Sequence, residues 1–182
     1  MPIILPYEDK FPQIAEDAFI ADNAVIIGDV VIGSQSSVWY NCVVRGDVNY
    51  IRIGKRTNIQ DGTIIHVHRN DGPTIIGDDV TIGHKALLHA CIIENLTFIG
   101  MNAQIIDYAT VKTKAMVAAS ALLSPNKTIP SGDLWGGIPA KYMRKLTAEE
   151  LDHIGISAQN YVELALKYLQ TKKNVDIMFS LQ

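Results

Sequence analysis

Branched aliphatic residues recur at every sixth position along most of this chain, and that period excludes the common folds before any single residue is weighed. One run is Ile20, Ile26, Ile32, Val38 and Val44. The run resumes at Ile53, Ile59, Ile65, again at Ile76, Ile82, Leu88, and ends Ile93, Ile99, Ile105, Val111, Val117, Leu123, Ile129. A helix repeats every ~3.6 residues and a half-buried strand every second residue. Period six belongs to a parallel β-helix, in which three hexapeptides close one triangular coil and each aliphatic side chain points into the prism. No coil buries its apolar face alone, so stacking must supply a continuous Ile/Val column. A β-sandwich with chance spacing would instead show alternation broken by turn signals every ~8–12 residues.

The lattice breaks in three places. Val44 to Ile53 is nine residues, Ile65 to Ile76 eleven, and Leu88 to Ile93 five. The first break predicts an extra loop around 46–50. The second predicts a larger loop over 67–73, where Arg69-Asn70-Asp71-Gly72-Pro73 is strong turn chemistry. Insertions in repeat proteins collect on a functional face. After Ile129 the period stops, and 130–133 and 136–139 read as loops. Thr147 and Glu150 then form a capping box. Leu151, Ile154, Ala158, Tyr161, Ala165 and Tyr168 follow at helical spacing. The expectation is a mainly-β chain, with a β-helix domain over 1–140 and a C-terminal loop and helix over 141–182. That helix packs on a prism wall, of its own or of a neighbouring subunit.

With 182 residues the chain is one domain plus an appendage. A net charge of −3 gives no basic footprint for nucleic acid. No apolar run approaches the ~20 residues of a membrane span. Residues 1–10 lack the basic and apolar regions of a signal peptide. Cys42 and Cys91 fall on the lattice as small buried residues rather than as a disulfide framework, so a reducing cytoplasm is expected.

The lattice also assembles a candidate metal site. Val44, Ile65 and Leu88 are three repeats apart, so they share a wall, and the residues after them, Arg45, His66 and His89, stack as well. Coils lie ~4.8 Å apart. His66 and His89 therefore project side by side, close enough to share an ion at Zn–N distances of ~2.0–2.1 Å. His84 sits one wall earlier, stacked over Asp61 and Tyr40, too far to reach that ion within one chain. A closed three-fold trimer brings one chain's His66/His89 face against a neighbour's His84 face. A lone histidine is more often a satisfied polar residue, and His68 and His153 are read that way. Three imidazoles that converge through one lattice point to metal. They leave an open position on Zn²⁺, the mark of a catalytic site. A water there has its pKa lowered to about 7 and becomes a nucleophile. Imidazole suits Fe²⁺ and Co²⁺ as well. Across the seam Arg45 approaches Asp61, and it also reaches Asp47. A guanidinium between two carboxylates suits an interfacial salt bridge better than catalysis. Gln60, at the edge of the seam, can orient a metal-bound water or a substrate oxygen.

The stretches Val43-Val44-Arg45-Gly46-Asp47, Asn58-Ile59-Gln60-Asp61-Gly62, Ile65-His66-Val67, and Gly83-His84-Lys85 with Leu88-His89 resemble the γ-class carbonic anhydrase family. Gly100-Met101-Asn102-Ala103 also matches. A generic hexapeptide acyltransferase shares the period but not these motifs. The resemblance implies a left-handed coil and a homotrimer with Zn²⁺ or Fe²⁺ at each seam. It further implies reversible hydration of CO₂ to bicarbonate. By position His66, His84 and His89 would be ligands, Gln60 would hydrogen-bond the metal-bound hydroxide, and Arg45, Asp47 and Asp61 would form the intersubunit salt-bridge set. Well-characterised active members carry a Glu where this chain has Val48, and a longer acidic loop after the first histidine. The loop here is short and lacks Glu, so slower proton export and slower turnover are expected. His68 can stand in as shuttle, because imidazoles titrate near neutrality. Three rival functions use the same fold: a metal-dependent thioesterase or other hydrolase, a metal-free acyltransferase, and a structural trimer that keeps the ion for assembly.

Overall fold

The computed structural model describes residues 1–180. Short parallel strands stack into a β-solenoid of about seven turns. The first wall runs through Ile3–Leu5, the first halves of Val25–Ile32 and Val43–Ile53, then Ile64–His66, Leu87–His89, Gln104–Ile105 and Leu122–Leu123. The second wall comprises Gln13–Ile14, the second halves of the same two long strands, then Thr74–Ile76, Ile92–Ile93, Thr110–Val111 and Thr128–Ile129. The third wall runs from Phe19–Ile20 through Ser37–Val38, Asn58–Ile59, Thr81–Ile82, Phe98–Ile99 and Met116–Val117 to Asp133–Gly136 and Lys141–Lys145.

Strand register turns the six-residue period into columns. Ile26, Val44, Ile65, Leu88, Ile105 and Leu123 lie side by side in the first wall. The second wall aligns Ile32, Ile53, Ile76, Ile93, Val111 and Ile129. The third aligns Ile20, Val38, Ile59, Ile82, Ile99 and Val117. All of these but Ile20 are buried. Each such side chain gains ~1.5–3 kcal/mol from leaving water, which is why the pattern tolerates so few exceptions. Cys42 and Cys91 are fully buried and unpaired, as their lattice positions suggested. Burial pushes their thiols up, to about 11 for Cys42 and about 12 for Cys91.

The corners are as regular as the walls. Five edges between the third and first walls turn through one left-handed residue each: Asn41, Gly62, Lys85, Asn102, Ser120. Their amides bond the coil below, Lys85 N–H to Asp61 O at 2.8 Å and Asn102 N–H to His84 O at 2.7 Å. Gly83 just before this edge admits no side chain, because a Cβ would sit 2.6 Å from the Met101 nitrogen.

Two expectations need correction. Residues 46–50 form no free loop; Val43–Ile53 is one continuous strand. Val25–Ile32 runs alongside it across the same edge and pairs on both sides of the surplus, with Gly28 opposite Gly46 and Val30 opposite Ile51. The extra residues are taken up as a register shift inside a paired ladder. The stretch read as C-terminal loop also contains structure. Asp133–Gly136 continues the third wall, and Lys141–Lys145 folds back antiparallel to it. Residues 137–140 are the tight turn of this hairpin, so of the loop-like 136–139 only Gly136 lies in a strand, paired with Lys141. The 67–73 excursion is a turn closed by the His68 N–H bond to Gly72 O, 2.8 Å.

The capping box forms as read. The Glu150 N–H donates to Thr147 Oγ1 at 3.2 Å, and the Thr147 N–H to Glu150 Oε2 at 2.9 Å. It opens the helix Ala148–Ser180. The helix packs on its own chain's third wall, against the strands Phe19–Ile20, Ser37–Val38, Asn58–Ile59 and Thr81–Ile82. Ile154, Ala158, Val162 and Ala165 are buried there. No helix among the described residues is long and apolar enough to cross a membrane. The first wall keeps its outer row of Ile3, Val25, Val43, Ile64, Leu87, Gln104 and Leu122 in register and only partly covered, with Ile64 46% exposed.

Candidate metal centre

His66 and His89 end adjacent first-wall strands, and the ladder pairs them directly. Their rings lie 5.3 Å apart, centre to centre, inclined at 41°. Two imidazoles on one tetrahedral ion, each nitrogen ~2.1 Å from it, would have centres about 5.2 Å apart, so this pair is spaced as joint ligands need. His84 stands on the other edge of the wall, above Asp61 and Tyr40, held by the corner bonds. Among the described residues, no three His, Cys, Asp or Glu side chains of the one chain converge to hold an ion.

A carboxylate meets one ring nitrogen of each histidine. Asp61 Oδ2 lies 2.9 Å from His84 Nδ1, Asp47 Oδ1 lies 2.9 Å from His66 Nε2, and Asp107 Oδ1 bonds His89 Nδ1. A carboxylate only accepts, so the nitrogen facing it carries the N–H, and in the neutral ring the other nitrogen keeps its lone pair. This is how metal-binding imidazoles are oriented, and the residues fit such an ion. Burial opposes the Asp47 carboxylate, but hydrogen bonds from His66, the Val48 amide and Arg45 outweigh it and hold its pKa below the usual range. Arg45 pairs with Asp47 inside the chain. Asp61 serves His84 and accepts the Tyr40 N–H at 3.2 Å.

Gln60 is buried beside this edge, and its Nε2 donates to Asn58 Oδ1 at 3.0 Å. Asn58 must show its amide nitrogen to Val80 O, an acceptor, at 3.3 Å, so its oxygen faces Gln60. Gln60 consequently keeps Oε1 free of these bonds. Gln60 therefore presents an acceptor, Oε1, together with the second N–H of its Nε2. A cavity of about 400 Å³ between the helix and the third wall reaches Gln60, His84, Phe98, Met101 and Tyr161.

Relatives bear on what this geometry is for. The chain is 45% identical over 166 residues to "Carbonic anhydrase" of Geobacillus kaustophilus, spanning 91% of each. It is 52% identical over 162 residues to "Gamma carbonic anhydrase 2, mitochondrial" of Arabidopsis thaliana, spanning 86% of this chain. The chain belongs to the γ-class carbonic anhydrase family. This γ-class chain spans only 58% of the length of the Arabidopsis protein. The hexapeptide family "Bacterial transferase hexapeptide (six repeats)" matches residues 11–46. Among solved structures, a "hexapeptide transferase family protein" from Anaplasma phagocytophilum superposes with a TM-score of 0.88 at 46% identity, covering 91% of this chain and 98% of that one.

Some site residues of this γ-class chain escaped the reading of the sequence. Asp107 lies one coil above His89 and one position further along, a diagonal that a strict column count skips. Tyr108 turns that corner in the left-handed region. Its hydroxyl donates to Asp71 Oδ1 at 2.9 Å, so His68 Nδ1, 3.1 Å away, must be the donor to the phenol oxygen. That leaves His68 Nε2 with its lone pair at the half-exposed mouth of the 67–73 turn.

Proposed function

We propose that this chain hydrates CO₂ reversibly to bicarbonate as a metal-dependent carbonic anhydrase. It works as a homotrimer in which each seam takes His66 and His89 from one chain and His84 from the next. The observation that carries this reading is the direct register of His66 with His89, with all three imidazoles pinned on one nitrogen by carboxylates. The three histidines would hold Zn²⁺, with Fe²⁺ and Co²⁺ also suited to imidazole. When bound, such an ion supplies a Lewis acid that makes water nucleophilic near neutral pH.

The chain's own groups do the rest. Asp47, Asp61 and Asp107 hold the ring directions and, in the neutral rings, the tautomers. Gln60 Oε1 accepts an O–H and orients the oxygen that attacks. The cavity beside Gln60, walled by Phe98, Met101 and Met116, suits a small uncharged substrate such as CO₂. His68 Nε2 takes the released proton towards solvent. The partly covered apolar row on the first wall supports the trimer, since contiguous exposed apolar surface marks an interface. Arg45, Asp47 and Asp61 lie on the edges that would meet there, where an intersubunit salt-bridge set is assigned. The buried, unionised thiols suit a reducing cytoplasm.

The test is anaerobic purification, metal analysis of the trimer, and stopped-flow CO₂ hydration on Zn- and Fe-loaded protein. Metal at one ion per chain with hydration above background supports the assignment. Metal without hydration, but with hydrolysis of acyl thioesters, moves it to a hydrolase. Acyl transfer by metal-free protein rejects it.

A further inference from the structure

The bond that orients Gln60 is one link of a longer buried chain that ends on the C-terminal helix. Asn58 Nδ2, besides facing Val80 O, donates to Thr81 Oγ1 at 3.0 Å. Thr81 Oγ1 lies 3.0 Å from Ser157 Oγ, across the helix–wall contact. Asn58 and Thr81 are at most 1% exposed and Ser157 is 8% exposed, so water does not compete for these groups. Their directions follow from one another. Asn58 is a donor to Thr81, so the Thr81 hydroxyl accepts there and must send its own proton on. Among the described residues Ser157 Oγ is the acceptor within reach. An unplaced proton on a buried hydroxyl is costly enough to make Thr81 seek Val80 O or Asn58 instead. Either choice disturbs the amide pair that keeps Gln60 Oε1 free.

We infer that Ser157 is a positioning residue: from the helix, through Thr81 and Asn58, it fixes which end of the Gln60 amide faces the site. The inference rests on the role given to Gln60 above. It makes the helix part of the active site's alignment as well as the cover of a prism wall.

The experiment compares Ser157→Ala, Ser157→Thr and Thr81→Val in the full-length, metal-loaded protein. Ser157→Ala should lower kcat for CO₂ hydration about tenfold, the equivalent of ~1.4 kcal/mol, with KM within about twofold. Ser157→Thr keeps a hydroxyl and should restore kcat. Thr81→Val, which keeps the wall's shape, should mimic Ser157→Ala and decides the matter if the helix variant folds poorly. In a Gln60→Ala background Ser157→Ala should change kcat little, whereas a merely structural role would leave the two losses additive. A second readout does not depend on turnover. The ¹⁵N–¹H side-chain amide signals of Gln60, assigned by their loss in Gln60→Ala, should shift in Ser157→Ala and return in Ser157→Thr. Unmoved signals with an unchanged or additive kcat would overturn the inference. If the wild-type chain hydrates no CO₂, the proposed function fails, and the amide signals alone still support or overturn the positioning role.

Discussion

Co-assembling two inactive variants tests the division of the metal site between subunits. His66→Ala removes a ligand from one side of every seam, and His84→Ala removes one from the other. Each variant alone has no three-imidazole site. In a ring of three with directional seams, a mixed trimer contains a single seam where an intact His66/His89 face meets an intact His84 face. This holds whether the ring contains two copies of one variant or two of the other. Trimers purified through a different tag on each variant should therefore regain about one third of the wild-type metal content. A control sharpens the result. His66 and His89 are ladder partners on one chain. Mixing His66→Ala with His89→Ala leaves every seam short of a ligand, so no metal returns. The assay is elemental analysis of co-expressed, doubly tagged, anaerobically purified trimers. Metal at the level of the separate variants in the first mixture, or recovery in both mixtures, would refute the assignment of His84 to a neighbouring chain.

Asp107→Asn removes the carboxylate that fixes the His89 tautomer, and metal affinity should fall ~10–100-fold, read by competition with a chromogenic chelator. Ile93→Ala hollows the column of the second wall, which carries none of the three histidines; unfolding in denaturant should show a loss of ~2–5 kcal/mol with metal content per folded trimer unchanged. Cys42, with its pKa pushed up to about 11, presents roughly one thiolate in a thousand at pH 8, and buried Cys91 presents fewer, so a disulfide-exchange reagent should label neither until the chain is denatured. Rapid labelling of the native protein would show that the columns open. His68→Ala should slow CO₂ hydration at low buffer and recover at high buffer; equal rates at low buffer would remove His68 from the proton path.

The period of six carried much of the architecture because a solenoid core is nearly one-dimensional: each aliphatic residue answers only to its own wall. For the same reason it brought His66 beside His89 and set His84 apart, since both placements are counts along a coil. What it concealed depends on neighbours that counting cannot see. The surplus residues at 46–50 look like a loop only if the strand below stops at the edge, and nothing in Ile26 to Ile32, a normal interval, says that it continues. Asp107 occupies a diagonal, and Thr81 and Ser157 are 76 positions apart and meet only once the helix has docked. These omissions share a chemical character. Apolar positions report themselves by repetition, whereas a carboxylate that holds a tautomer or a hydroxyl that accepts one proton occurs once. The polar groups around the histidines therefore had to be read from distances. Those distances give Gln60 one fixed partner: its nitrogen donates one N–H to Asn58 Oδ1, and its Oε1 stays outside these bonds.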